Sequence, residues 1–189
     1  MVDVSHAGKE TMMQAADLSR TPIIASHSGV KAVADTARNL DDEQLRKIRD
    51  VGGVAQMVAL GSYVKLPTAQ QQAARDALDA EFGDRKSWDQ AKRDAYMAKR
   101  ADITAMAPEA NVSNFADHID HAVNIAGIDH VGIASDFDGG GGIAGWQNAS
   151  ETQNVTAELV KRGYSEDDIA KIWGGNLLRV MEAVETAAL

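Results

Sequence analysis

A regular alternation of short apolar segments with helix-forming segments constrains the fold more than any other feature of this sequence. Residues 2–5 are short and β-branched, as expected of a buried strand, and residues 10–19 are rich in helix formers. Pro22 then opens a second apolar segment at residues 23–26, so a strand, a helix and a strand follow one another within about 25 residues. A connection of this kind joins parallel strands.

Two further apolar segments, residues 53–60 and 131–135, extend the same pattern. Helices are predicted between and after them, and the clearest begins at Asp41, which pairs with Gln44 in a variant of the capping box. Four strands that alternate with helices predict an α/β fold with a parallel sheet and outer helices. Residues 67–108 interrupt the pattern, because they are polar and rich in Ala and Gln, and we interpret them as an inserted helical segment.

The charge and the cysteine content exclude several classes of function. The chain carries 28 Asp and Glu against 19 Lys and Arg, a net charge of −9, which argues against nucleic acid or an anionic membrane as the main partner. The absence of Cys excludes a disulfide scaffold and cysteine-ligated zinc. There is no run of about 18 apolar residues and no signal-peptide pattern, so we expect a soluble protein of the cytoplasm or the periplasm.

Polar side chains that can do chemistry follow each of the four predicted strands. In the order of the strands they are His6, His27, Tyr63 and Asp136. The carboxyl ends of parallel strands share one edge of the sheet, and the chemistry of α/β folds is found at that edge. Neighbouring strands lie about 4.8 Å apart, so His6 and His27 could reach one metal ion at Zn–N distances of about 2.0–2.1 Å. The alternative is that these are ordinary polar residues at strand ends.

Other candidate groups have a structural explanation beside a functional one. Arg38 is either a surface residue or a clamp for an anion, since its guanidinium fork matches a carboxylate. His118 and His121 stand three residues apart on a predicted helix and could chelate a metal, whereas His130 precedes a strand and is expected to be structural. The glycine run at residues 139–142 lacks a phosphate-binding motif, and we interpret it as a flexible loop at the site.

Several short stretches, taken together and in order, carry a resemblance to a known family. They are residues 3–6 (DVSH), 22–28 (PIIASHS), 38–42 (RNLDD), 118–121 (HIDH), 129–139 (DHVGIASDFDG), 158–164 (ELVKRGY) and 175–180 (GNLLRV). Each stretch alone is short, but in this order they are specific. Together they resemble the membrane dipeptidase (renal dipeptidase-like) family of zinc peptidases.

The resemblance implies a (β/α)₈ barrel with a binuclear zinc site that hydrolyses dipeptides. Position by position, it implies that His6 and His27 are the two histidine ligands of one zinc ion. Asp136 corresponds to the residue that contacts the other zinc ion and handles protons. Arg38 and Tyr63 correspond to residues that contact the dipeptide substrate.

The sequence also departs from the family. A His-x-Asp pair on the first strand, a glutamate that bridges both metal ions and a further histidine that contacts the substrate have no counterpart here. Residues 1–189 therefore resemble the C-terminal half of the barrel, about strands five to eight, with an insertion at residues 67–108. We expect this chain alone to hold at most one zinc ion, and to pair with the missing half or with a second copy of itself.

Three functions remain open at this point. The first is zinc-dependent hydrolysis of dipeptides, with this chain supplying part of the active site. The second is a catalytically inactive half-barrel that lacks the His-x-Asp pair and the bridging glutamate. The third is a different barrel metallohydrolase, such as one that acts on cyclic amides, and the ordered motifs argue against it.

Overall fold

Four parallel strands lie side by side in chain order in a computed structural model that describes residues 1–188. The strands are β1 (Val2–Asp3), β2 (Ile23–Ser28), β3 (Val54–Val58) and β4 (Val131–Ala134). Every neighbouring pair in this sheet is parallel. The predicted α/β fold with parallel strands and helices around them is confirmed.

Helices follow each strand, and further helices lie between β3 and β4. They are α1 (Lys9–Leu18), α2 (Asp42–Asp50), α3 (Gly61–Val64), α4 (Ala69–Phe82), α5 (Gln90–Thr104), α6 (Val112–Ala126), α7 (Thr152–Lys161), α8 (Glu166–Ala170) and α9 (Asn176–Ala187). A π-helical segment, Lys171–Gly175, joins α8 to α9. Among residues 1–188, no helix combines the length and the apolar character needed to cross a membrane.

Local interactions set the start of α2 and the end of α6. The Asp41 carboxylate accepts a hydrogen bond from the Gln44 N–H at the start of α2, and the Gln44 side chain accepts one from the Asp41 N–H. The predicted capping box is therefore present. Gly127 ends α6 with a φ of 87°, a conformation that glycine adopts without a steric penalty.

The apolar residues of the strands divide between the two faces of the sheet. Alternate residues of a strand point to opposite faces. Ile23 and Ala25 of β2 belong to the main core, with the fully buried Phe115 and Ile119 of α6. On the opposite face, a second cluster joins the β2 and β3 residues Ile24 and Val54 to Val180 of α9.

β1, β3 and β4 are shorter than predicted, whereas β2 is longer and continues through His27 and Ser28 instead of ending before them. Ala25 pairs with Ala55 and Ser28 pairs with Met57, so two residues of β2 face one residue of β3. This is a β-bulge, which holds an extra residue while the strand keeps its pairing. His27 therefore lies in the bulge of a strand, and the expectation that it follows the strand is wrong.

The described chain divides into two compact units. Unit 1 is Met1–Lys65 together with the chain from Ala110 onward, and unit 2 is Leu66–Glu109. Unit 2 consists of α4, α5 and a short 3₁₀ turn, and the polar segment 67–108 lies within it. It has a core of its own, formed by Leu78, Phe82, Trp88, Tyr96 and Ile103.

Candidate active site

The rings of His6 and His27 meet at the carboxyl end of the sheet. His6 follows β1, and His27 lies in the bulge of the neighbouring strand β2. Their Nε2 atoms are 2.8 Å apart, and the ring centroids are 4.8 Å apart with the planes inclined by 58°. Two imidazole nitrogens from adjacent strands thus converge on one point, where a single ion could be bound by both.

The backbone is strained at two of the predicted site residues. Among residues 1–188, His6 and Asp136 are the non-glycine residues with a positive φ, at 69° and 53°. A side chain in this left-handed region costs about 1–3 kcal/mol and persists only where the surrounding structure enforces it. Both strained residues follow a strand at the carboxyl edge of the sheet, where the sequence predicts the site.

Asp3, which the pattern of residues after the strands does not predict as part of the site, lies close to His27. Its carboxylate accepts hydrogen bonds from the Ser5 N–H at 3.0 Å, the Ser26 N–H at 3.1 Å and the Ser26 hydroxyl at 2.6 Å. Ser26 Oγ also lies 2.7 Å from Nδ1 of His27. Burial raises the pKa of Asp3, but these hydrogen bonds outweigh burial and hold the pKa below its ordinary value. The only sequence signal was its place in the DVSH stretch.

Arg38 and Tyr63 lie side by side next to His27. Nη2 of Arg38 donates to the His27 carbonyl at 3.2 Å, and the guanidinium stands over the Tyr63 ring, 5.5 Å from its centroid. The buried Asn39 fixes the two segments, since its amide donates to the carbonyls of Ala34 and Tyr63. The structure thus brings the two predicted substrate-contacting residues together with one of the predicted metal ligands.

His118 and His121 do not form a metal site. His118 is buried in α6, where Nδ1 accepts a hydrogen bond from the Val30 N–H at 2.8 Å and Nε2 donates to the Val64 carbonyl at 3.0 Å. His121 is directed instead to the carboxylate of Asp42, 2.7 Å from its Nε2. The idea that these two histidines chelate a metal is wrong, because each is held by a different partner.

The glycine run at residues 139–142 wraps around Asp136. The N–H groups of Gly139 and Gly141 donate to the Asp136 carbonyl at 2.9 and 2.7 Å. A Cβ on Gly139 would lie 2.2 Å from Oδ1 of Asp136, and a Cβ on Gly141 would lie 2.0 Å from the Ser135 carbonyl oxygen. Gly139 and Gly141 are therefore required by the close approach of this loop to Ser135 and Asp136.

His130, expected to be structural, contacts the backbone of a neighbouring strand. Its Nδ1 lies 2.8 Å from the carbonyl oxygen of Gly53, the residue before β3. This position is at the amino end of the sheet, away from the edge that carries His6 and His27. The contact joins the beginnings of β3 and β4 and gives His130 a role in the fold.

The residues present fit a metal site in part. The two converging Nε2 atoms of His6 and His27 are the donor type that zinc prefers. In the described part of the chain, however, no three His, Asp or Glu side chains form a group that could hold a metal ion. Zinc sites take three or four protein ligands. The pair therefore offers two nitrogen donors, which is fewer than a complete zinc site needs.

Comparison with known sequences identifies the family of this chain. The sequence pattern of the family described as membrane dipeptidase (peptidase family M19) matches residues 1–189. The chain belongs to the membrane dipeptidase family. The resemblance stated from the sequence motifs is confirmed.

Curated relatives within the membrane dipeptidase family are much longer than this chain. The dipeptidase tcpJ of Claviceps purpurea (strain 20.1) is 30% identical over 190 residues, which cover 100% of this chain and 35% of that protein. The dipeptidase ataJ of Aspergillus terreus is 31% identical over 192 residues, which cover 100% of this chain and 37% of that protein. The chain thus spans little more than a third of the curated relatives that it matches.

Solved structures agree in the fold. The probable dipeptidase PvdM from Pseudomonas aeruginosa matches with a TM-score of 0.87 and 40% identity, over 98% of this chain and 50% of that chain. A metallo peptidase from Rhodobacter sphaeroides, liganded with a phosphinate mimic of the dipeptide L-Ala-D-Ala, matches with a TM-score of 0.71 and 26% identity, over 97% and 42%. The chain corresponds to about half of these membrane dipeptidase structures, in agreement with the predicted half of a barrel.

Proposed function

We propose that this chain forms part of a zinc-dependent dipeptidase and supplies one half of its active site. The observation that carries the proposal is the meeting of the His6 and His27 Nε2 atoms, 2.8 Å apart, at the carboxyl edge of a parallel sheet. Membership of the membrane dipeptidase family and the dipeptide mimic bound to one solved relative support the choice of substrate.

His6 and His27 would hold one zinc ion through their Nε2 atoms. When bound, zinc polarises a carbonyl oxygen and makes water a stronger nucleophile at neutral pH. In this proposal Asp136 accepts a proton from the attacking water and passes it to the leaving amine. Its glycine loop suits that role, because the hydrogen bonds from Gly139 and Gly141 hold the backbone of Asp136 in one conformation.

Arg38 would bind the negative charge of the substrate. Its guanidinium carries several N–H donors, of which Nη2 is bonded to the His27 carbonyl while Nε is buried without a hydrogen-bond partner in the described structure. Its position over the Tyr63 ring limits the directions in which the remaining donors point. A guanidinium held in this way matches the two oxygens of a carboxylate. A dipeptide is zwitterionic, so the net charge of −9 does not exclude it.

The remaining metal ligands would come from a partner that completes the barrel. Within the described residues, β1 pairs only with β2 and β4 pairs only with β3, so each has one edge without a strand partner. Such edges are templates for further strands. We propose that the other half of a longer polypeptide occupies them and supplies the His-x-Asp pair and the bridging glutamate that the family resemblance implies. A second copy of this chain could cover the same edges but could not supply those ligands.

Zinc content and dipeptide hydrolysis test the proposal when they are measured on the same samples. The chain alone is expected to hold at most one zinc ion and to hydrolyse L-Ala-D-Ala and L-Ala-L-Ala poorly or not at all. Co-expression with the N-terminal half of a full-length relative is expected to give two zinc ions per barrel and hydrolysis. In that complex His6→Ala should abolish activity, and Arg38→Ala should lower kcat/KM about tenfold, or about 1.4 kcal/mol.

A His130→Ala variant is the matched control, because that ring lies at the opposite end of the sheet. In the described structure its side chain has one hydrogen-bond contact, with the Gly53 carbonyl. It should retain zinc and activity. Two zinc ions and full hydrolysis from the chain alone would contradict the proposed incomplete site. A complemented barrel without hydrolysis would favour an inactive half-barrel, and hydrolysis of cyclic amides would favour a different metallohydrolase.

A further inference from the structure

A chain of hydrogen bonds leads from Asp3 on β1 through Ser26 to the ring of His27 on β2. The Ser26 hydroxyl donates to Oδ2 of Asp3 at 2.6 Å, and the same Oγ lies 2.7 Å from Nδ1 of His27. The bulge in β2 makes this arrangement possible, because Ser26 and His27 are the two successive residues that face a single residue of β3. This series of hydrogen bonds begins at the Asp3 carboxylate and ends at His27, a proposed zinc ligand.

In this series of hydrogen bonds, the donor and the acceptor of each bond are determined by the adjacent bonds. The N–H groups of Ser5 and Ser26 can only donate, and both point at Oδ1 of Asp3. An ionised carboxylate has no proton to donate, so Oδ2 of Asp3 is an acceptor as well. The Ser26 hydroxyl has one hydrogen, which goes to Oδ2 of Asp3. Ser26 Oγ can then only accept from His27, and Nδ1 of His27 must carry the proton.

The protonation of Nε2 of His27 follows from that of Nδ1. In a neutral imidazole one nitrogen is a donor and the other an acceptor, so a proton on Nδ1 leaves a lone pair on Nε2. The contact between the two Nε2 atoms at 2.8 Å is then donated by His6 and accepted by His27. The two histidines therefore have opposite tautomers in the metal-free chain.

We propose that Asp3 is a positioning residue that acts through Ser26 to hold His27 as the Nδ1–H tautomer, so that Nε2 is presented unprotonated to the metal ion. The role of Asp3 toward the metal ion rests on the proposed function, whereas the tautomer of His27 is inferred from the hydrogen bonds alone. A metal binds the unprotonated nitrogen of histidine, and groups behind the ring commonly fix the tautomer. Here the Ser26 hydroxyl links the Asp3 carboxylate of β1 to the His27 ring of β2.

Nitrogen-15 NMR of the metal-free, histidine-labelled full chain tests the tautomer directly. Spectra are recorded above about pH 8, where an ordinary histidine is neutral, and the loss of one signal set in His27→Gln assigns His27. The unchanged chain should show His27 as Nδ1–H. Ser26→Ala should lose this preference, whereas Ser26→Thr, which keeps a hydroxyl, should retain it. Asp3→Ala should also lose it, because the Ser26 hydroxyl is then free to donate to Nδ1.

Ser5→Ala is the matched control, since the Ser5 hydroxyl contacts the His27 main-chain N–H at 2.9 Å and not the ring. Its spectrum should show the same His27 tautomer as the unchanged chain. An Nε2–H tautomer in the unchanged chain would overturn the proposal. A tautomer that persists in folded Ser26→Ala and folded Asp3→Ala, with folding checked by circular dichroism, would overturn it as well.

Zinc titration by calorimetry separates this inference from the proposed function. With Zn²⁺ as the only ligand, Ser26→Ala is expected to bind about 10–100-fold more weakly than the unchanged chain, the range found when groups behind a metal-bound histidine are removed. Equal affinities would overturn the positioning role. If NMR shows the Nδ1–H tautomer but the barrel completed by co-expression binds no zinc, the tautomer assignment stands and the proposed function fails.

Discussion

His118 is buried to 1% exposure, and both of its ring nitrogens are hydrogen-bonded to the backbone. One partner, Val30, lies in the segment that leads to Arg38, and the other, Val64, ends the helix that carries Tyr63. A single imidazole thus joins the two segments that carry the proposed substrate-binding residues. The sequence placed His118 in a helix but gave no sign that it spans these segments, because both partners are main-chain groups far away in the chain.

The stability of the fold is expected to depend on the protonation of His118. Burial lowers its pKa below the ordinary value of 6.5, since the charged ring would lose its hydration. The unfolded chain therefore binds the proton more readily, and the free energy of unfolding should fall as the pH drops below about 6.5, by up to about 1.4 kcal/mol per pH unit. Urea unfolding at a series of pH values between about 5.5 and 8 measures this slope.

Two variants separate the His118 effect from a general loss of contacts. His118→Gln removes the titrating ring, and the pH slope in this range should decrease. Asn39→Ala removes another buried link between the same two segments without a titrating group. It should lower stability by about 1–3 kcal/mol at every pH and keep the slope. An unchanged slope in His118→Gln would refute this explanation.

At the scale of helices, Arg162 fastens α7 to α6. Its guanidinium pairs with Glu158 of α7 and with Asp117 and Asp120 of α6, and it donates to the Ser113 carbonyl at 2.8 Å. Burial lowers the pKa of Arg162, but the hydrogen bonds to these carboxylates outweigh it, so the net pKa is above the ordinary value. We expect Arg162→Ala to lower the free energy of unfolding by about 2–3 kcal/mol. Without Arg162, in the described structure, Glu158 keeps only the exposed Lys161 as a cationic partner, and Asp120 keeps only the Tyr164 hydroxyl.

The neighbouring Lys161 provides a matched control for Arg162. It also pairs with Glu158, at 3.3 Å, but its side chain is 75% exposed. Solvent screens such a pair, so Lys161→Ala should change stability by no more than about 0.5 kcal/mol. Chemical denaturation of the two variants gives the comparison, and equal losses would show that the buried position of Arg162 has no special effect.

Strands and helix ends can be predicted from local sequence patterns. The β-bulge and the side-chain contacts between strands cannot, because they depend on how the strands pair. The four strands follow from apolar segments, and the start of α2 follows from the spacing of Asp41 and Gln44. The bulge at His27 was missed because it arises from the register with β3, which no local pattern in β2 reveals. The contact of Asp3 with Ser26 was missed for the same reason.

The candidate site follows the same division between local and long-range information. The positions of His6, His27, Tyr63 and Asp136 at one edge were expected because parallel strands end together. The positive φ at His6 and Asp136 was not expected, since strain is imposed by the surrounding fold. The sequence predicts a flexible loop at the glycine run, whereas the close contacts of Gly139 and Gly141 show that the loop packs tightly against Asp136.

At the scale of the molecule, the two units have separate hydrophobic cores. The core of unit 1 includes an aromatic group in which Trp146 contacts Phe115, Phe137 and Trp173. Phe137 directly follows Asp136, so this core supports the loop of the proposed site. The aromatic residues of unit 2, Phe82, Trp88 and Tyr96, pack on one another. Each unit is thus expected to keep its own packing when the other is changed.

Replacement of residues 66–109 by a short Gly-Ser linker is expected to leave unit 1 folded. The linker has a short distance to span, since a Cβ on Gly61, four residues before the break, would be 3.9 Å from the Cβ of Ala110. Loss of Trp88 with unit 2 leaves Trp146 and Trp173 as reporters of unit 1, so tryptophan fluorescence during urea unfolding measures its stability directly. A cooperative transition should remain, and Phe115→Ala in the shortened chain should lower its free energy by about 3–5 kcal/mol. A shortened chain that shows no cooperative transition would mean that unit 1 depends on unit 2 for its stability, although the two units have separate cores.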